Sequence, residues 1–491
     1  MNCKKQGSSL KKFFIPWTTV KAINWIIVIG LLVYCNSLLN GFAGDDSGQI
    51  VTNIFVHSLA NIAHFFSGST FYSNAEGNFG MYYKPMMMIV YSLLYTLFGP
   101  TPFVYHLLQL LFHIVNTCLL LLFFSRFFDK KVSFLLAILF LSHPINNETV
   151  VYIANLQDVL FTFFGLLALK FFIDKKSFIL VGILLLLSLL SKESGIIFFP
   201  ILILYYLLFS QKSKSKSLIL ILSLSTVIAI YLCMRIGIGN IGFQTKYLYM
   251  AQNATLLQRL FTIPSILTYY LRMVFFPVTI AYGWYWVVTR PTFENFGIPL
   301  LVAMMVFIIV LLPLYFLRMQ KKQWKEYFFF LCVFIISLSM SLQLIPLDFT
   351  VADRWFYFPM VGLLGMFGTV ITYFSQRTKN IQVKKLFVIF CVCIVVLLTC
   401  RTFVRTFNWS NNYTLCSHDE KINRNSYTLE LCLGNEYRKL KEYNLAIYHL
   451  KRSIYLYPKF PMAVYYLGWT FQQEGKYDEA IHWYRKAENK N

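Results

Sequence analysis

Apolar runs recur along the chain, broken by short polar segments. They fall at 22–40, 103–124, 132–147, 156–173, 177–191, 196–210, 217–237, 298–317, 327–345, 356–374 and 386–403. A helix needs about 20 apolar residues to cross a bilayer. Lipid also leaves no partner for an unpaired backbone group, so helices are the natural reading of such runs. The pattern therefore predicts an all-α polytopic membrane protein with about eleven transmembrane helices. Two more apolar stretches, 50–66 and 85–98, lie in a long loop, 41–102, and read as helices along the interface. Crossing at 259–280 would invert every later basic cluster, so that segment is also placed on the surface.

Charge then orients the bundle. Lys4, Lys5, Lys11 and Lys12 precede the first run, and Arg126, Lys130 and Lys131 follow the second. Lys175 and Lys176, then Lys212, Lys214 and Lys216, follow the fourth and sixth. Arg318, Lys321 and Lys322 follow the eighth, and Arg377, Lys379, Lys384 and Lys385 separate the last two. All six clusters fall on one side, which the positive-inside bias makes cytoplasmic. The opposite side collects Asp45, Asp46, Lys84, Glu148, Asp158, Lys192, Glu193, Arg290, Asp353, Arg354 and everything after 404.

The tail is polar and repeats itself. Leu433-Gly434, Tyr437, Ala446 and Pro458 recur as Leu467-Gly468, Phe471 and Ala480, a shift of about 34 residues. Small residues at Gly434, Ala446, Gly468 and Ala480 let paired helices approach closely. This is the tetratricopeptide pattern, here two repeats (427–460 and 461–491) with a half-repeat cap near 409–416. The expected domains are 1–404 in the membrane and 405–491 as an α-solenoid tail.

Composition agrees. Of 491 residues 57% are hydrophobic and only 13% charged, against roughly 25% charged in soluble domains. The net charge of +23 is spread in short clusters between apolar runs, which argues against nucleic acid. Most of the ten cysteines lie in apolar runs as small hydrophobes; Cys416 and Cys432 in the tail are too few for a disulfide framework. No small-residue cleavage site follows the first run, so it reads as a retained span. There is no Walker loop, dinucleotide fingerprint or His-Glu-x-x-His, so ATP-driven transport and zinc proteolysis have no support in the sequence.

Adjacent carboxylates at a helix exit are expensive beside a bilayer. Asp45 and Asp46 fit two readings: a cap for the next helix, or a general base facing a water-restricted cavity. The pair would also admit a divalent metal, with metal dependence left open. Arg354 pairing with Asp353, an internal Lys192–Glu193 pair, and His143 and Glu148 fixing a helix end are the structural alternatives at the other charges. For Tyr282-Gly283-Trp284-Tyr285-Trp286 the alternatives are an interfacial belt and a sugar-stacking wall.

An ordered set of short motifs resembles the transmembrane and tetratricopeptide-repeat O-mannosyltransferases and their prokaryotic relatives, within the GT-C class. It comprises Asp45-Asp46, Tyr83-Lys84-Pro85, Phe98-Gly99, Pro102-Phe103 with Tyr105-His106, and His143-Pro144-Ile145 with Glu148. Ser191-Lys192-Glu193, Asp353-Arg354-Trp355-Phe356-Tyr357-Phe358-Pro359 and the terminal repeats complete it. Lys84 stands where the family usually has Arg, Asn146 where a second His is common, and Leu156-Gln157 where a basic residue precedes Asp158.

The resemblance implies transfer of a sugar, a hexose such as mannose, from a polyprenyl-phosphate donor to an acceptor hydroxyl, with inversion. Asp45 or Asp46 would be the base. Arg354 and Lys84, then Lys192 and Arg290, would bind the donor phosphate, supported by His143, Glu148, Asp158, Glu193 and Asp353. The acceptor is expected to be protein Ser or Thr; a lipid-linked glycan or envelope polymer, a carrier flippase, and a non-catalytic scaffold with a partner on the tail are the rivals. The expected location is a bacterial or archaeal cytoplasmic membrane, or the endoplasmic-reticulum membrane of a eukaryote. Active site and C-terminus would face the extracytoplasmic or lumenal side.

Overall fold

A computed structural model describes residues 18–73, 77–79, 82–211, 213–241 and 249–488. The lysines before residue 13, Lys212 and the last residues of the second repeat lie outside them. Among the described residues the regular structure is helical apart from a small antiparallel hairpin pairing Phe71–Ser73 with Gly77–Phe79 and an isolated bridge, Trp284 to Val351.

Each predicted apolar run coincides with a helix, but the helices are not equally long. Six can span a membrane by length and composition: Thr19–Leu39, Pro102–Phe124, Ile153–Ile173, Lys214–Ile238, Phe293–Leu317 and Ile381–Phe407. A seventh span would be the bent pair Lys130–Ser142 and Pro144–Val151, which meet at 49°. Pro144 explains the bend: it has no N–H for the preceding turn and holds His143 extended, at φ −73° and ψ 129°. Phe178–Ser191 and Glu193–Phe209 are shorter, separated by an extended Lys192. Helices Lys321–Ser339 and Pro359–Arg377 cover the remaining two runs. All eleven expected runs are thus helical, but only six helices, or seven with the bent pair, are long and apolar enough to cross a membrane, short of the eleven spans expected.

Two of the long helices bury almost none of their apolar surface. Leu301, Phe307, Ile308 and Ile309 on one, and Val388, Ile389 and Phe390 on the other, are exposed. Water would make that arrangement costly, whereas lipid is its natural solvent. The interfacial segment 50–66 is not one helix but short turns, Ile54–His57 and Leu59–Phe66. Asn53 and Ser58, whose side chains accept N–H bonds from Phe55 and Ala60, restart the backbone there. Pro85–Phe98 is a helix with proline in its first turn. Leu256–Phe275 is also helical, opened by a Thr255–Gln258 capping box.

Basic segments far apart in sequence meet at one end. Arg126, Asp129, Lys322, Gln323, Glu326 and Gln376 line a cavity of about 640 Å³ there, and Lys325 reaches the carbonyl of Leu208.

The helix Ile381–Phe407 runs past residue 404 into Asn412–Ile422, followed by two helical hairpins. Tyr427–Lys439 packs on Tyr443–Leu456, and Pro461–Glu474 on Tyr477–Glu488. The glycines make these contacts close: a Cβ at Gly434 would meet Leu450 at 2.6 Å, and one at Gly468 would meet Tyr484 at 2.9 Å. Tyr427 packs against Tyr285 and Phe460, and Asn253 donates to Tyr457 Oη, so the tail leans on the helical bundle.

Cys416 and Cys432 are joined by a disulfide, which the sequence reading did not foresee. It clamps the cap helix to the first hairpin. Closing a loop of 16 residues is worth about 3 kcal/mol by chain entropy. The Cys416→Ser/Cys432→Ser variant is expected to lower the melting temperature of the tail, read by hydrogen exchange over residues 412–456. An unchanged exchange pattern would remove the clamp from the account.

Candidate functional site

Asp45 and Asp46 are adjacent in sequence and opposite in fate. Asp46 is 1% exposed. Its Oδ2 accepts the Ala43 N–H at 2.9 Å and its Oδ1 the Ala154 N–H at 2.7 Å. Both oxygens are therefore spent on backbone, tying the loop to the turn after the bent pair. It does not cap the following turn, Ser47–Val51, with its side chain.

Asp45 reaches solvent. Its N–H donates to Tyr152 Oη at 2.8 Å. Protein nonetheless crowds the carboxyl closely enough that lost hydration raises its pKa, countered by a hydrogen bond from Tyr152 and by the charges of Arg354 and Lys84. Asp46 is raised much further, by burial first and then by the neighbouring Asp45, against the N–H groups of Ala43 and Ala154.

Cations converge on the same place. Arg354 is paired with Glu148, and its N–H donates to Glu148 Oε2 at 3.3 Å. Its guanidinium also lies over the Phe349 ring at 4.6 Å. Asp353, the partner considered from sequence, instead accepts the Tyr269 hydroxyl at 2.7 Å. Burial, then the charge of Glu148, pushes Asp353 up to about 7. Lys192 bonds Asp158 at 2.6 Å, not Glu193, which pairs with Arg235 at 2.8 Å.

Lys84 is 7% exposed and in no ion pair among the described residues. It lies over the Tyr82 ring at 4.0 Å. Burial lowers it to about 8; Glu193 and Asp158 pull the other way, while Lys192 and Arg354 add repulsion.

The structure thus gathers Asp45, Lys84, Glu148, Asp158, Lys192, Glu193 and Arg354 within electrostatic reach of one another. Arg290 is not brought in: its side chain is exposed and its carbonyl accepts from Asn295. His143 uses both ring nitrogens on backbone, Nε2 toward Val274 O at 3.0 Å and Nδ1 accepting the Ile145 N–H. The aromatic segment is internal rather than a belt. Trp284 pairs with Val351 across a single β-bridge, and Tyr285 stacks on Phe349.

Residues not anticipated complete the picture. Tyr152, between the runs 132–147 and 156–173, carried no distinguishing signal. Arg235 had one, a lone guanidinium in a predicted span, which is a functional pointer by default. Asp348, bonded to Gln252 Nε2 at 2.6 Å, is pushed up to about 6 by burial. Among the described residues no three His, Cys, Asp or Glu side chains gather as metal ligands.

Residues 84–237, which include Lys84 and Arg235, match the family model described as dolichyl-phosphate-mannose-protein mannosyltransferase. The mouse protein O-mannosyl-transferase TMTC3 is 24% identical over 96% of this chain and 55% of its own length. The Caenorhabditis elegans protein O-mannosyl-transferase F38B6.6 is 24% identical over 84% of this chain and 59% of its own. This chain therefore spans about half the length of the curated relatives it matches. Among solved structures, the archaeal oligosaccharyltransferase AglB from Archaeoglobus fulgidus, in complex with an inhibitory peptide and a dolichol-phosphate, aligns with TM-score 0.43 and 14% identity. That alignment covers 82% of this chain and 56% of that one. The resemblance carried by the ordered motifs thus extends along nearly the whole chain: it is similar to the transmembrane and tetratricopeptide-repeat protein O-mannosyl-transferases.

Proposed function

We propose that the protein is a membrane glycosyltransferase of GT-C type that moves a hexose, mannose first, from a polyprenyl-phosphate carrier to a protein Ser or Thr hydroxyl. The observation that carries this is the contrast between a solvent-open Asp45 and a buried Asp46 beside the cations Lys84 and Arg354. The names of the similar proteins support the donor and acceptor classes.

In the reaction, Asp45 takes the proton of the acceptor hydroxyl as its oxygen attacks the anomeric carbon from the face opposite the leaving group. The bond from that carbon to the phosphate oxygen breaks, and the electron pair leaves with the polyprenyl phosphate. The configuration inverts, and Asp45 then releases its proton to water. Lys84 and Arg354 stabilise the charge developing on the departing phosphate; fixed charges in a dry site do this with little reorganisation.

The site is placed on the extracytoplasmic or lumenal side. The gathering of basic segments at one end supports this, as does the tail disulfide, which needs an oxidising compartment. The helical hairpins read as tetratricopeptide units that present the acceptor.

The test is transfer of radiolabelled mannose from polyprenyl-phosphate-mannose in membranes containing the protein. Label in protein supports the reading, label in lipid moves the acceptor to a lipid-linked glycan, and no transfer by folded protein leaves a scaffold.

The charge states set a pH profile for kcat/KM, which reports the free enzyme. Activity is expected to rise as Asp45 loses its proton, above the ordinary carboxylate range, and to fall as Lys84 loses its own near 8. Lys84→Arg keeps its charge and should flatten the alkaline limb. A limb unchanged in that variant would take Lys84 out of the phosphate site.

A further inference from the structure

The loop that bears Asp45 is held by the start of the polar tail. Asn40 Nδ2 donates to Thr406 O at 3.2 Å, Gly41 N–H to Ser410 O at 2.9 Å, and Gly44 N–H to Asn412 Oδ1 at 2.6 Å. Three bonds in register tie residues 40–44 to the stretch where the helix Ile381–Phe407 ends. Gly44 sits at φ +55°, and a Cβ there would come within 2.7 Å of Tyr152 Oη, so the peptide before Asp45 packs directly on that hydroxyl. Tyr152 in turn stacks on Trp409 at 5.2 Å and meets Tyr282 edge-on at 5.9 Å. The Tyr282 N–H is held by Asp419 Oδ2 at 2.7 Å, and Asp419 is gripped by both Arg405 nitrogens at 2.5 and 2.8 Å. The loop and its tyrosine support therefore both rest on residues 405–419.

Within that stretch Asn412 is distinctive. The cap of its own helix comes from Asn411, whose Oδ1 accepts the Thr414 N–H at 2.9 Å. The Asn412 side chain is thus not needed for the cap, and its oxygen goes to Gly44. It is only half-buried, so its loss leaves little cavity.

We infer that Asn412 is a positioning residue for Asp45, so that the head of the tail, unlike the hairpins beyond it, is part of the catalytic site. The inference rests on the reading of Asp45 as the base. Rotation of the 44–45 peptide swings the carboxylate, and misplacement of about 1 Å costs on the order of 100-fold in rate.

The experiment compares the full chain in membranes as wild type, Asn412→Leu, Asn412→Asp and Thr414→Ala. Asn412→Leu is expected to lower kcat by about 10- to 100-fold with the donor KM unchanged. It should also speed amide exchange at residues 40–46 without shifting the melting temperature. Asn412→Asp keeps an acceptor oxygen and should recover most of the rate. Asn412-Tyr413-Thr414 also fits the Asn-x-Thr glycosylation pattern; Thr414→Ala removes that pattern while leaving Asn412, and should behave as wild type. Unchanged kcat or unchanged exchange in Asn412→Leu, or equal losses in Leu and Asp variants, overturns the inference. An inactive wild type defeats the transferase reading instead, while the exchange data still report on the contact.

Discussion

Asp45→Asn is expected to cut transfer by about 10²–10⁴-fold in kcat, the usual worth of a general base, with the fold intact. The side chain is open to solvent and makes no ion pair among the described residues, so the isosteric amide, which can still accept from Tyr152, removes the charge and the proton acceptor without breaking an ion pair. Asp46→Asn should behave differently. Its amide can accept from one of Ala43 and Ala154 but must turn an NH₂ toward the other. A backbone N–H left without a partner in the interior costs about 1–3 kcal/mol. The expected result is a lowered melting temperature with kcat within a few-fold of wild type in the folded fraction. Thermal unfolding and single-turnover transfer on the two variants check this. Equal catalytic losses would return the pair to a shared role; a Asp46→Asn variant that is stable but inactive would reverse the assignment.

That distinction was beyond the sequence for a physical reason. Neighbouring residues of the same type differ only in where the backbone points them, and the deciding N–H comes from Ala154, 108 positions away. The helices were legible because bilayer-length apolar runs are local facts. So was one of their breaks, at the charged Lys192-Glu193, whereas the bend at Pro144 fell inside the run read as 132–147. The partners of buried charges were not. Lys192 found Asp158, 34 residues back, and Arg354 found Glu148, 206 residues back, each over a nearer acid of the same kind. Tertiary packing chose them, because an interior charge is tolerable only beside one already fixed there. The 50–66 stretch was misread for a different reason. Its apolar residues follow no clear turn of helix, and Asn53 and Ser58 offer the backbone local bonds that restart it.

Arg354 offers the second large effect and a way to separate fold from chemistry. It is about nine-tenths buried, and Arg354→Met would strand Glu148 as an uncompensated interior charge, which costs about 3–5 kcal/mol. Lost activity in that variant alone would therefore prove nothing about phosphate. The double variant Arg354→Met/Glu148→Gln removes both charges, and replacing a whole buried pair is close to neutral. It is expected to recover the melting temperature of the wild type while kcat stays down by about 10²–10³-fold, the worth of one well-aimed transition-state donor. Arg354→Lys should fall between, since an ammonium keeps the charge but gives up the planar fork that grips Glu148 and phosphate together. If the double variant regains activity along with stability, Arg354 and Glu148 serve the fold alone and the departing phosphate is met by Lys84 and Lys192. If stability returns and activity does not, the buried pair exists to hold one guanidinium at the point where the donor's phosphate charge appears, with Glu148 as the counter-ion that makes its burial affordable.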